Sequence, residues 1–309
     1  MKKCLITGGA GTIGIPLIEK LLEVGKYEIT VIDLKSPKAT RRLQPFKDRI
    51  NIIYGDIACE ELMLSLIKEH DVIFHLAGVL PPNALISESL IKEVDYKGTA
   101  KLVDLIKRDN AKCYFVYPSV TTLYHKVKEV NVSSNLKVDS NDYYSKYKLE
   151  AEKYIENNLK NYTIYRLPMV IDKNSFEHVM YNINENQKIE LVSNTLVAKA
   201  FVKSLTHKKV LNKKKYILSG GKNFLVNSNE FLRNILESYG ISGRYFLMHY
   251  LLPQNYYSHI YKTTLNDILD YQDEKIEDIF AGYKSLKKSR RCIQRLLAYN
   301  KIKKLKERR

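Results

Sequence analysis

The strongest constraint on this chain lies near its N-terminus. An apolar run, Lys3–Thr7, reads as a short buried strand, and Gly14–Glu23 has the spacing of an amphipathic helix. Between them stands Thr7-Gly8-Gly9-Ala10-Gly11-Thr12-Ile13-Gly14. In such a place each glycine has a task. Gly8 permits a tight turn, Gly11 lets the backbone approach a pyrophosphate, and Gly14 lets the helix lie close to the sheet. The N–H groups of Thr12, Ile13 and Gly14 then face outward at the positive end of the helix, where phosphates bind. A second strand, Glu28–Asp33, ends on a carboxylate nineteen positions beyond Gly14. Asp33 can accept hydrogen bonds from both ribose hydroxyls and repels a 2′-phosphate, so NAD is the expected cofactor. Arg41 and Arg42 follow closely and would favour NADP instead.

The alternation continues. Strands are expected at Ile50–Tyr54, Val72–Leu76, Lys112–Tyr117 and Thr163–Arg166, and helices at Glu60–Lys68, Leu85–Lys107 and Tyr144–Asn157. Strands alternating with helices imply parallel pairing through right-handed crossovers, hence an α/β fold with a doubly wound, Rossmann-type parallel sheet. After Val170 the rhythm changes. Ile189–Val192 and Tyr216–Ser219 read as strands, Leu196–Leu205 and Glu230–Tyr239 as helices. The expected organisation is a Rossmann domain with its catalytic helix over 1–170, a smaller C-terminal substrate lobe over 171–260 that can share sheet residues, and a helical basic tail over 261–309.

Charge and cysteine usage narrow the function. The formal net charge is +17, but Lys284–Arg309 alone carries +11. The basicity is a tail, not a groove through the fold. Interleaved aromatics beyond Tyr299 are missing there, which speaks against nucleic acid. The tail reads in two ways: a solvated C-terminal helix, with Leu286, Ile293, Leu296 and Leu297 on one face, or a peripheral contact with an anionic membrane. Cys4, Cys59, Cys113 and Cys292 are far apart and without a histidine cluster, so neither a disulfide framework nor a metal site is expected, and a cytoplasmic location fits.

Several further segments stand in a recognisable order. Gly55-Asp56-Ile57 follows the third strand and His75-Leu76-Ala77-Gly78 the fourth. Val94-Asp95-Tyr96-Lys97-Gly98-Thr99 lies on the long helix, Tyr144-Ser145-Lys146-Tyr147-Lys148 opens the next, and Arg166-Leu167-Pro168-Met169-Val170 closes the following strand. With the glycine motif, these resemble the extended short-chain dehydrogenases/reductases, the NAD-dependent nucleotide-sugar epimerases and dehydratases. The resemblance runs from about Lys2 to Gly240. It implies that Asp56 and Ile57 contact the adenine, that Leu76, Ala77, Gly78 and Pro168 line the cofactor, and that Lys148 binds the nicotinamide ribose. It also implies a homodimer through the helices Leu85–Lys107 and Tyr144–Asn157. A bare Tyr-x-x-x-Lys would mean little in a chain with 23 tyrosines, where five such pairs occur, but only Tyr144 sits in the full helix pattern. Residues four apart share a helix face, so Tyr144 and Lys148 can act together. The ammonium favours phenolate, making Tyr144 a base for a substrate hydroxyl.

The chain departs from the family in four places. The third catalytic hydroxyl is expected four residues before Tyr124, and that position is Val120. Ser119 and Thr121 flank it, and a bulge or one-residue shift would bring either into place. Asp95 stands where the family has Asn, and Asp172 where it usually has Gly. The acid pair of the 4,6-dehydratases is replaced by Thr121 and Thr122, which disfavours that subclass. Arg233 and Arg244 are the candidates, by position alone, for gripping a substrate diphosphate. The favoured expectation is an NAD-dependent epimerase or dehydrogenase of a nucleotide-activated sugar. The rivals are a dinucleotide-binding protein without turnover and an atypical carbonyl reductase of the same fold.

Overall fold

The computed structural model describes residues 1–80, 87–127, 131–172, 187–238 and 259–285. Leu85 at the start of one expected helix, Arg244, Cys292 and the tail from Leu286 onward lie outside the described residues.

The strands are β1 (Lys2–Thr7), β2 (Tyr27–Asp33), β3 (Asn51–Tyr54), β4 (Val72–His75), β5 (Tyr114–Val120), β6 (Asn131–Val132), β7 (Tyr162–Leu167), β8 (Val170–Ile171), β9 (Lys188–Glu190), β10 (Val192–Ser193), β11 (Lys214–Ile217), β12 (Leu225–Asn227) and β13 (Ile260–Tyr261). Seven of them form one sheet in the order β11-β7-β5-β4-β1-β2-β3, parallel throughout. The chain builds outward from β1 to β3, then returns to β4 on the other side of β1. That reversal opens a crevice at the carboxyl ends of β1 and β4, where such sheets bind ligands. This is the doubly wound, Rossmann-type fold expected from the sequence.

The two faces follow the two-residue period of a strand. Cys4 and Ile6 of β1 point into one core, which seats the helices Gly14–Val24 and Asn194–Ser204. Leu5 points into the other, under the helices Glu60–Glu69, Thr99–Asp109 and Tyr143–Asn158. β11, expected in the later part of the chain, pairs with β7 and extends the main sheet. The pairs β8–β10, β9–β12 and β6–β13 are small separate ladders.

Two local differences from expectation have clear causes. The helix expected over Leu85–Lys107 is broken among its described residues. Glu88–Ile91 is followed by a wide π-type stretch, Lys92–Gly98, and only then by a regular helix, Thr99–Asp109. Such stretches are frequent at functional sites, and this one carries Asp95. A helix over Pro37–Leu43 had no place in the expected pattern. The Ser36 Oγ caps it by accepting from the Ala39 N–H at 3.0 Å, and Pro37 occupies its first turn.

Candidate active site

The glycine motif folds as its residue types require. Gly8 has φ +69°, and a Cβ there would lie 2.7 Å from the Ala77 nitrogen, so β1 and β4 can meet only because the residue is glycine. A Cβ on Gly14 would come within 2.3 Å of the Gly9 carbonyl oxygen, which shows how closely the helix is drawn onto the turn. That helix begins at Gly14 without a side-chain cap. Its N-terminus faces a cavity of about 720 Å³ at the crevice, whose wall here is Gly8, Gly11, Thr12, Ile13 and Gly14.

One end of the cavity is marked by Asp33. Its Oδ2 accepts the Ala10 N–H at 2.8 Å, which fixes the carboxylate against the glycine turn. Asp56 and Ile57 lie on the same wall. Leu76, Ala77 and Gly78 follow the central β4, and Ser119 on β5 and Pro168 after β7 line the cavity at the far end with Tyr144 and Lys148. The cavity thus gathers every residue expected to bind cofactor. A carboxylate at one end, an uncapped helix N-terminus in the middle and a Tyr/Lys pair at the other make a donor and acceptor set that fits a dinucleotide.

Thr121 is not part of this wall. Val120 keeps an extended backbone, φ −133° and ψ 147°, and a tight 3₁₀ turn follows over Thr121–Tyr124. The turn carries Thr121 away, and its Oγ1 accepts from the Tyr261 hydroxyl at 2.8 Å. Ser119 is different. It lines the cavity, is 1% exposed, and its hydroxyl has no hydrogen-bond partner among the described residues. Val120 also lines the cavity and packs with Leu123, Tyr144 and Tyr147. A buried hydroxyl without a partner is costly, and one that lines a cavity is available to a ligand.

Tyr144 and Lys148 are both buried. Burial raises the pKa of the Tyr144 phenol above its ordinary value; the Lys148 charge draws it down and the Asp95 carboxylate pushes it up further. For Lys148, burial works against the ammonium, but Asp95, Tyr117 and Tyr144 outweigh it and the pKa is raised. The Lys148 Nζ lies 2.8 Å from Asp95 Oδ1, a buried ion pair. It also sits 5.0 Å over the Tyr117 ring, a cation–π arrangement. Burial pushes the Tyr117 phenol to about 12.

Sequence reasoning noted Asp95 only as a departure. In the structure its Oδ2 accepts the Val79 N–H at 2.8 Å while Oδ1 faces Lys148, so one carboxylate ties the cavity-lining segment after β4 to Lys148. A buried relay supports it. The Thr99 hydroxyl donates to the Asp95 carbonyl at 2.6 Å, so it must accept from His75 Nε2 at 3.0 Å. His75 Nδ1 is then the acceptor for the Thr7 hydroxyl at 2.8 Å, and Thr7 Oγ1 accepts the Ala77 N–H at 3.2 Å. Burial and the Lys148 charge lower the His75 pKa to about 3, so the ring is neutral, as this single tautomer demands. Near Asp33 the surprise is Lys38. It lines the cavity with Ser36, whereas Arg41 and Arg42 do not.

A profile described as the 3-beta hydroxysteroid dehydrogenase/isomerase family matches residues 5–169. The chain belongs to this family. Its place among the extended short-chain dehydrogenases/reductases agrees with the resemblance seen in the motifs. Among curated relatives, the chain is 32% identical over 126 residues to the UDP-N-acetyl-alpha-D-glucosaminuronate decarboxylase of Bacillus cytotoxicus, covering 40% of this chain and 38% of the relative. It is 25% identical over 156 residues to the sterol-4-alpha-carboxylate 3-dehydrogenase, decarboxylating, of Bos taurus, covering 50% of this chain and 41% of that one. The matched stretches therefore span about two fifths of these relatives' length. A solved structure of UDP-glucuronic acid 4-epimerase from Bacillus cereus, in complex with UDP-glucuronic acid and NAD, superposes with a TM-score of 0.73. It covers 92% of this chain and 97% of that one at 18% identity, a likeness of fold.

Proposed function

We propose that the protein binds NAD and acts as an epimerase or dehydrogenase of a nucleotide-activated sugar, by hydride transfer at a carbinol carbon. The observation that carries this reading is one cavity lined by Ser119, Tyr144 and Lys148 on the β5 side and by Asp33 on the β2 side of the sheet. Both relatives and structural neighbours that act on nucleotide sugars support the substrate class, by analogy.

Bound NAD supplies a hydride acceptor and a positive ring charge at this end of the site. The chain's residues supply the rest. Ser119 donates a hydrogen bond to the substrate oxygen and holds it toward Tyr144. Tyr144 takes the hydroxyl proton in the oxidising direction and returns it in the reducing one. Lys148 keeps its charge next to the phenol and stabilises the phenolate. Asp33 selects the unphosphorylated ribose. A homodimer through the helical face containing Tyr143–Asn158 belongs to the same proposal. The second reading, a dinucleotide-binding protein without turnover, draws on Val120 at the position where the family carries its hydroxyl.

The test is absorbance of reduced nicotinamide on mixing protein, NAD and a panel of UDP- and dTDP-sugars, with 3-hydroxysteroids as a second panel. Reduction with a nucleotide sugar, lost in Tyr144→Phe while calorimetric NAD binding is kept, is the expected result. Reduction by hydroxysteroids alone overturns the substrate class. NAD binding with neither reduction by either panel nor epimer formation, read by proton NMR, favours the second reading.

A further inference from the structure

The carboxyl ends of the parallel strands hold the cavity; their amino ends form the opposite pole of the molecule. Lysines collect along the stretch of that pole that runs from β1 to β11. Lys2 begins β1, Lys112 precedes β5, Lys160 precedes β7, and Lys213 and Lys214 lead into β11. Lys209 lies on the short helix Lys208–Leu211 just before β11. All six are exposed.

Their turns are held together by side-chain amides. Asn161 Nδ2 donates to the Ala111 carbonyl at 3.0 Å, and Asn212 Nδ2 to the Lys160 carbonyl at 3.1 Å. The Lys213 N–H donates to the Tyr162 carbonyl at 2.8 Å. The lysines are thus presented on a fixed surface. Neighbouring lysines are compensated: Lys3 pairs with Glu28 and Glu69, Lys68 with Asp109, and Lys215 with Glu156. Among the described residues, none of the six at the pole has an ion-pair partner. Asp71, a carboxylate just before β4, accepts the Lys3 N–H at 2.9 Å.

Two apolar tips stand among these charges. Met1 is 87% exposed and Val210 47%. The aromatic rings beneath the turns, Tyr114, Tyr162 and Tyr216, are buried. Tyr27, beside Lys2, is half-buried, and among the described residues this surface of uncompensated lysines and apolar tips has no exposed ring, so it lacks the stacking platform that single-stranded nucleic acid uses. It matches a bilayer interface, which attracts basic residues electrostatically and accepts apolar tips.

We infer that this pole is a docking face for an anionic lipid surface, which would leave the mouth of the cavity, at the other pole, open to solvent. The six lysines are separate in sequence from the basic tail, and the experiment distinguishes them. Full-length protein is floated with phosphatidylcholine vesicles, with and without about one third phosphatidylglycerol. It should rise only with the anionic vesicles, and less so as salt increases. The fourfold variant Lys112→Gln, Lys160→Gln, Lys209→Gln, Lys214→Gln should lose at least about thirtyfold in partitioning. A control with Lys20, Lys126, Lys199 and Lys203 changed to Gln should lose far less. Lysine acetylation of the wild type, read by mass spectrometry, gives a second measure free of any folding defect in a variant. Vesicles should protect Lys112, Lys160 and Lys214. Protection confined to 284–309, a variant that floats like wild type, or wild type that stays down with anionic vesicles yet binds RNA, overturns the proposal.

Discussion

The two ends of the cavity were written into the chain in different ways. At the Asp33 end, each residue is placed by its immediate neighbours: a strand, a glycine turn, a helix and the end of the next strand, all within the first thirty-three positions. At the Tyr144 end, the decisive contacts are long-range. Lys148 meets Asp95 across 53 positions of sequence, and Ser119 stands on a strand that reaches the site only because β5 lies between β4 and β7. A binding motif can therefore be local, whereas a proton-transfer site depends on the register of the whole sheet.

The comparison predicts where mutations act, and the largest effect belongs at the Tyr144 end. Ser119→Ala should lower turnover about 100-fold while nucleotide binding is kept, because a buried hydroxyl facing the substrate is lost. Thr121→Val should leave turnover nearly intact but cost about 1–3 kcal/mol of stability, since the Tyr261 hydroxyl loses its partner. Steady-state kinetics beside thermal melts separate the two. The reverse pattern would move the catalytic hydroxyl to Thr121.

A middle-sized effect is expected at Asp95. Its carboxylate raises the Tyr144 pKa, so Asp95→Asn, which can still accept the Val79 N–H, should lower it. In the oxidising direction Tyr144 acts as a base, so the acidic limb of the rate profile should move to lower pH, by about one unit. An unmoved limb, or one displaced to higher pH, would show that the Lys148 partner has no electrostatic hold on the phenol.

The smallest effect is assigned to the local end. Asp33→Ala should change the ratio of NAD to NADP affinity by about tenfold in favour of NADP, as read by calorimetry. Wild-type protein that already prefers NADP would make Lys38 the dominant group instead of Asp33.

Most of the parallel sheet was legible because its strands are short apolar runs between amphipathic stretches, and each such run has one period to obey. Less was legible where backbone geometry departs from the regular. The π-type stretch Lys92–Gly98 keeps helical composition, so nothing in its spacing marks the extra residue that the wider turn absorbs. The helix Pro37–Leu43 did carry a signal, Ser36-Pro37, a capping serine followed by proline. At the site, residue types pointed to Ser119 and Thr121 equally. Only the 3₁₀ turn after Val120 separates them, and that turn is specified in part by Tyr261, far along the chain.

That tie bears on how the molecule can be taken apart. The hydroxyl of Tyr261 holds Thr121, the Glu190 carboxylate accepts N–H groups from Gly221 and Tyr261, and Asn194 Nδ2 donates to the Thr12 carbonyl at 3.0 Å. The later half of the chain therefore grips both the glycine turn and the turn that follows β5. The first half is not a detachable cassette. A chimera that kept residues 1–170 and borrowed the rest from a cousin would inherit the motifs but not the clamps, and the clamps set where those motifs point.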